Sequence, residues 1–579
     1  MLRRSSVTGV RRSVGKDSSE GDVPASGVSR LVCVVGDSRV EVRNSEFNKN
    51  GYTALGVFDQ AHLLLVASTI ANNSIGNPGD GGGVYIEGGA NVTVTGRSRV
   101  HGNNASGDGG GLFVKGHAVL RVDGNSSVTA NSAEKGYGGG LAAYGLDSGA
   151  GDVTLTDGTS VQGNTAAKGG GVYAGNYTAV SCIGCIIANN TAKFHPACAT
   201  LYRQIRWACQ DASGGGLYID NARVTLAWAS SVHDHKAVNG SGGGLSVNYE
   251  ASVFLTDGSI VMGNTASGVG GGLAVRYSNA TLTGGTIVQG NTAGESAGGV
   301  FSMSSNLTLT NGSSVHDNTA ALSGGGLVLD DSEVTITGAS RVQVNKALNG
   351  TGGGLDVLLS SNVTISNHST VSNNSCWGGV GGGVAVQAVH AAFDARGRVI
   401  DVKEGYGDAS RVIISNSTVS NNTSIGSAGG GLAVAENGTA QLVNGSVVLH
   451  NTAVNSSGGG GVLLGNGILL ADDSVGFANN VVGKGCVGST IAAFDNCTLD
   501  LPRGGRLSKC SVGVYLGWST CQAGETQQHD MCVCCPQHTF SFTNVSCEAC
   551  PPNGNCPGGS LVQPLPGYWS LAPTSVQII

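Results

Sequence analysis

Charge is scarce in this chain: Asp, Glu, Lys and Arg together make up 12% of its 579 residues, and aromatics another 5%. Proline is rarer still, at 11 residues. A disordered chain would be rich in charge and proline, so that class is excluded. The formal net charge of −7 offers no basic surface for nucleic acid. No apolar run approaches the ~20 residues of a membrane-spanning helix; residues 63–67 are far too few. Residues 1–30 hold Arg and Ser but no apolar h-region, so they are not a recognisable signal peptide. Their composition weakly matches an organelle transit peptide; a disordered N-terminal tail or a truncated start is the preferred reading.

Glycine dominates instead, with 97 residues, well over twice the usual share of roughly 7%. It is clustered rather than placed at every third position, which excludes collagen. The excess therefore comes from one turn used many times. Gly-Gly-Gly followed by Leu or Val begins at Gly81, Gly109, Gly138, Gly169, Gly214, Gly242, Gly270, Gly324, Gly352, Gly381 and Gly429. Ala297-Gly298-Gly299-Val300 fills the one gap, and a run of four glycines starts at Gly458. Most steps are about 28 residues; two are 45 and 48.

A second mark keeps the same beat: an apolar residue, two others, then Asn. It ends at Asn50, Asn73, Asn103, Asn131, Asn164, Asn190, Asn264, Asn291, Asn318, Asn345, Asn374, Asn422, Asn451 and Asn480. In one unit Val232 is followed by His235 instead. Between the marks, β-branched residues alternate, as in Val92-Thr93-Val94-Thr95 and Val334-Thr335-Ile336-Thr337. Period-2 alternation means strands with one face in and one out. Three strands and three bends in about 28 residues cannot bury an apolar face alone, but stacked copies can. The expected fold is all-β: a right-handed, single-stranded parallel β-helix of about 15 coils. At about 4.8 Å per rung it would run roughly 70 Å. The glycines would supply positive φ at the bend, and the asparagines a ladder satisfying turn backbone groups.

These marks resemble those of the chlamydial polymorphic outer membrane proteins, whose passenger domains repeat Gly-Gly-Ala-(Ile/Leu/Val) and Phe-x-x-Asn. Here the second mark is literal only at Phe47/Asn50 and Phe477/Asn480. The resemblance covers about residues 44–480 and implies a pectin-lyase-like solenoid with an adhesin-like role. The membrane β-barrel that ends that family is replaced here by a Cys-rich segment.

The 16 cysteines suggest disulfides and an oxidising destination. The domain plan is a tail at 1–30, the β-helix at 31–485, a Cys-containing cap or linker at 486–531 and a Cys-rich module at 532–579. Both long steps read as extruded loops, at about 182–212 and 388–410. In the first, Cys182, Cys185, Cys198 and Cys209 suggest two disulfides fastening the loop, with zinc at Cys182-x-x-Cys185 as the alternative. The loops are binding candidates or simply tolerated insertions. Cys486, Cys497, Cys510 and Cys521 belong to the cap. Cys532, Cys534, Cys535, Cys547, Cys550 and Cys556, with Pro566-Gly567-Tyr568-Trp569, resemble growth-factor-receptor-like modules of the ephrin-receptor type, found in large β-helix proteins of green algae and protists. That resemblance implies a membrane-anchored ectodomain whose membrane segments lie outside this chain. Asn91, Asn176, Asn279, Asn306, Asn362, Asn416 and Asn544 begin Asn-x-Ser/Thr sequons and are glycosylation candidates.

Polysaccharide lyases and hydrolases also use this fold, and their sites need clustered carboxylates or a basic group with Ca²⁺. Asp157 and Asp257 sit in Thr-Asp-Gly turns where Asn311 and Asn444 occupy the same repeat position, so a turn role explains all four. His233-Asp234-His235 is read as a ladder substitution ahead of a metal site, and Asp330, Asp331 and Glu333 as a solvated turn ahead of a Ca²⁺ site. No catalytic, cofactor or metal residue is assigned. The expected function is a non-enzymatic extracellular or cell-surface scaffold, with cell-wall or matrix glycans or surface proteins as partners and no nucleic acid. The alternative is a polysaccharide-active enzyme or carbohydrate-binding protein.

Overall fold

The computed structural model describes residues 30–193 and 213–482, apart from 77–78, 147–150, 388–389, 394–398, 404–408 and 455–458, plus short stretches between 491 and 565. The N-terminal tail, residues 194–212 of the first insertion and most of the Cys-rich module lie outside the described residues. The described chain is all-β, a parallel β-solenoid of about 13 turns. The first coil is incomplete: no strand separates Glu46–Asn48 from Thr53–Val57. Two compact units, residues 1–293 and 294–579, each build the same coil.

Each complete coil carries four strands rather than the expected three. In the first unit one coil runs Val84–Gly88, Asn91–Thr95, Arg99–His101 and Asn104–Ala105, which we call the first to fourth faces. The next coil pairs with it in parallel, residue over equivalent residue: Val84 with Leu112, Val92 with Leu120, Val100 with Val128 and Ala105 with Ala133. The fourth strand is too short for alternation to reveal. Inward side chains such as Val84, Ile86, Val92, Val94, Val100 and Ala105 are fully buried, each large one contributing about 1.5–3 kcal/mol. The second unit repeats the plan, as in Leu327–Asp330, Glu333–Ile336, Arg341–Gln343 and Lys346–Gly350.

The glycine triplet has two jobs, of which the sequence suggested one. Only its first residue is left-handed; Gly109, for example, has φ +65. Gly110 has an ordinary φ, yet a Cβ there would lie 2.4 Å from the Ser132 carbonyl oxygen and 2.5 Å from that of Gly139. The next coil approaches too closely for any side chain. Where Ala297 replaces the first glycine it still holds φ +62, so stacking imposes the turn.

Residues 182–193 are not extruded; they form regular coil strands up to Thr191–Lys193. The second insertion forms an antiparallel hairpin, His390–Phe393 against Val399–Lys403. Parallel pairing also outlasts Asn480. Ile491–Phe494 and Thr498–Leu501 continue the first and second faces. Antiparallel strands Val514–Gly517 and Gly505–Ser508 then lie along their outer edges, covering strand edges that would otherwise be open.

Candidate functional site

The asparagines form continuous buried ladders. In the first unit the Asn103 Oδ1 accepts both the backbone N–H and the side-chain Nδ2 of Asn73, at 3.0 and 2.9 Å, while Asn73 Nδ2 also donates to the Phe47 carbonyl at 3.1 Å. Asn50 joins below, and the pattern repeats upward through Asn131, Asn164 and Asn190. Asn264 pairs likewise with Asn291. In the second unit it links Asn318, Asn345, Asn374, Asn422, Asn451 and Asn480. Asn374 and Asn422 are 48 residues apart yet bonded at 3.0 Å, so the second insertion leaves the register intact.

His235 takes one rung and is fully buried. Its Nδ1 accepts the Asn190 backbone N–H at 3.0 Å, and its Nε2 lies 3.0 Å from the Ile187 carbonyl. The proton therefore belongs on Nε2. Burial pushes its pKa down to about 3. His233 instead faces outward and pairs with Asp234 at 2.8 Å, an arrangement His316 and Asp317 repeat at 2.7 Å. The three adjacent polar residues thus do not converge on one site. Asp331 accepts Ser304 Oγ at 2.9 Å at an exposed corner with φ +48, and Glu333 is also exposed. Asp157, Asp257, Asn311 and Asn444 all occupy left-handed corners, each followed by a left-handed glycine. Among the described residues no three His, Cys, Asp or Glu groups come together as a metal cluster would.

The first unit carries a feature that repeat reading missed: an aromatic layer on the outer side of the first face. Tyr85, Phe113, Tyr173 and Tyr218 are buried there, with Tyr137 and Tyr144 packed against them. Tyr85 and Phe113 stack at 5.0 Å, Tyr137 and Tyr173 at 4.9 Å, and Tyr173 and Tyr218 at 5.8 Å. The signal was present, since each of the four follows directly on a Gly-Gly-Gly-(Leu/Val) mark. Asp108 accepts the Tyr144 hydroxyl and, at 2.7 Å, the Tyr137 backbone N–H. Burial raises the Asp108 pKa despite those bonds. Asp220 is raised by burial too, opposed by Lys168, whose Nζ lies 4.8 Å from the Tyr218 ring centre. Rings this deeply covered serve packing.

In the second unit Asp356 is buried on the outer side of the first face. Its Oδ2 accepts Thr351 Oγ1 at 2.8 Å, while Oδ1 has no hydrogen-bond partner among the described residues. Burial pushes its pKa up to about 6. The nearby Cys376 thiol donates to the Gly379 carbonyl at 3.3 Å, and burial pushes it up to about 12. A nucleophilic cysteine needs the opposite shift, so this thiol is structural.

Cys182 and Cys185 form a disulfide with each other, Cα atoms 5.5 Å apart. Both are buried within the coil, Cys182 aligned between Leu155 and Leu226. They fill the core rather than fasten the insertion, and their sulfurs are not available to zinc. Cys33 and Cys376 are free, and Cys550 is disulfide-bonded. Cys532 and Cys534 lie on the strand Met531–Cys534. Cys198, Cys209, Cys486, Cys497, Cys510, Cys521, Cys535, Cys547 and Cys556 lie outside the described residues.

Of the sequon asparagines named above, the six described ones lie on the second face and its corners; other Asn-x-Ser/Thr triplets start at Asn104 on the fourth face and at Asn422 in the buried ladder. Asn279, Asn306 and Asn362 each open a second-face strand and are exposed, as Asn91 does half-buried. Asn176 and Asn416 are exposed at corners beside that face. Asn544 lies outside the described residues. No family model, curated protein or solved structure matches this chain.

Proposed function

We propose that this chain is a non-enzymatic scaffold of the extracellular space or cell surface, an adhesin-like solenoid that carries N-glycans on its second face. The carrying observation is the placement of Asn176, Asn279, Asn306, Asn362 and Asn416, all solvent-exposed and none part of the buried ladder. Glycan there leaves core and register untouched. The Cys182–Cys185 disulfide supports an oxidising destination. The resemblance of the repeat marks to those of chlamydial passenger domains supports the adhesive role. Its partners are matrix or cell-wall glycans or surface proteins.

The test is secretion of the full chain from a eukaryotic host behind a supplied leader peptide. The expected product is folded, and glycosidase treatment releases glycan mapped to these five positions. Secreted folded protein without glycan at any of them would overturn the reading. So would turnover in a reducing-sugar assay on cell-wall polysaccharides.

A further inference from the structure

We propose that the first unit binds one neutral, all-equatorial pyranose residue of a polysaccharide, in a pocket at the corner between its first and second faces. This extends the glycan partner of the scaffold reading to a definite site, but it requires only the fold and not secretion.

The pocket encloses about 330 Å³ and is lined by Tyr177, Asn221, Ala222, Arg223, Glu250 and Ser252. Its origin is a difference in corner length. Asn176-Tyr177-Thr178 joins Val172–Gly175 to Ala179–Ile183, and Tyr249-Glu250-Ala251 joins Leu245–Asn248 to Ser252–Leu255. The coil between them turns with Asn221-Ala222 alone, between Leu217–Asp220 and Arg223–Ala227. Two longer corners therefore stand proud of a shorter one. Their coils are two rungs apart, which leaves a slot about 10 Å wide, with buried Ala222 as its floor.

The slot's chemistry suits a sugar. Tyr177 is 55% exposed and stacks on no other ring among the described residues. An exposed aromatic ring is a platform for the apolar C–H face of a pyranose, and it is broadest when the hydroxyls are equatorial. Glu250 accepts hydroxyl protons; Arg223 and Asn221 donate to hydroxyl and ring oxygens. Neither Arg223 nor Glu250 enters an ion pair among the described residues, so both keep their bonding capacity. Their charges cancel, which favours a neutral sugar over a uronate. The volume is near the lower end for ligand pockets, about 300 Å³, and fits one ring of a chain that continues into solvent. Tyr249 and Tyr277, 60% and 52% exposed and stacked at 6.2 Å, extend the aromatic edge along the following coils.

The experiment is calorimetric titration of the full chain, made without N-glycans because Asn176 borders the pocket, with cellotetraose and tetragalacturonate as probes. Saturable binding of cellotetraose, weaker binding of tetragalacturonate, a loss of at least about tenfold in Tyr177→Ala and retention in Tyr177→Phe are expected. Ser252→Trp, which fills the slot, should abolish binding whether or not the alanine variant folds. Absence of saturable cellotetraose binding, tighter tetragalacturonate binding, or unchanged affinity in a folded Tyr177→Ala or Ser252→Trp protein would overturn the proposal. Cellotetraose binding by a chain that fails the secretion test would sink the scaffold reading and leave this one standing.

Discussion

The Nδ1 of His235 accepts the Asn190 backbone N–H at 3.0 Å, where the Oδ1 of Asn190 accepts the Asn164 N–H at 2.8 Å one rung earlier. An imidazole thus does the work of a carboxamide, one nitrogen accepting and the other donating. Only the neutral ring can do both, and burial holds its pKa near 3 against an ordinary 6.5. A histidine depressed on folding contributes stability that is fully present above pH 6.5 and lost as pH falls toward 3. The cost should reach about 2 kcal/mol by pH 5. Urea midpoints from pH 7 to 4.5 should fall in the parent chain and fall less in His235→Asn, which restores the usual rung. Equal slopes in the two would refute this.

Asp356 works in the opposite sense. Its carboxyl is raised to about 6 by burial, so the charged form is disfavoured in the fold. Its contribution is best below the unfolded pKa near 4 and declines as pH rises through 6. Asp356→Asn removes the buried charge and should raise stability at pH 7 by about 1–3 kcal/mol, with no gain at pH 4. The comparison is of denaturation midpoints at the two pH values.

The ladder predicts an order among substitutions at Asn131, whose Oδ1 accepts two N–H groups of Asn103 and whose Nδ2 donates to Val100 O and Asn164 Oδ1. Asn131→Ala strands those partners and should cost about 2–4 kcal/mol. Asn131→Asp sets a carboxylate oxygen against two acceptors, so it should be worse than alanine at pH 7 and recover in acid. Thermal melts of the three proteins across pH decide the matter.

Glycines should divide by what surrounds them. Gly110→Ala meets backbone oxygens at 2.4 and 2.5 Å and should prevent or severely weaken folding. Gly258 has φ +70, and a methyl group on its Cα would meet nothing within 4 Å. Gly258→Ala should therefore cost only the left-handed strain, about 1–2 kcal/mol, and Gly258→Asn less. Expression yield and melting temperature give the readout.

The coil was legible because its marks are one-dimensional. A glycine triplet, a valine three residues before an asparagine and alternating threonines each return at a fixed step, and parallel stacking converts that step into contact. What escaped was set by contact between coils. The tightness at Gly110, the fourth strand at Asn104–Ala105 and the Cys182–Cys185 pairing depend on what lies one rung away. The Tyr177 pocket was hidden for a related reason. It comes from neighbouring corners differing by one residue, a variation that a search for sameness discards. The aromatic layer was visible at Tyr85, Phe113, Tyr173 and Tyr218, but Asp108 joins it from another turn without any repeat mark.

Because Asn264 and Asn291 are bonded across an interval of 27 residues, a whole coil is a removable part. Deleting residues 264–290 would leave Gly263 preceding Asn291, with every column still facing its like. Unequal crossing-over in the gene could therefore add or subtract rungs without inventing a new junction, so the chain behaves as a ruler whose graduations evolution can change one at a time.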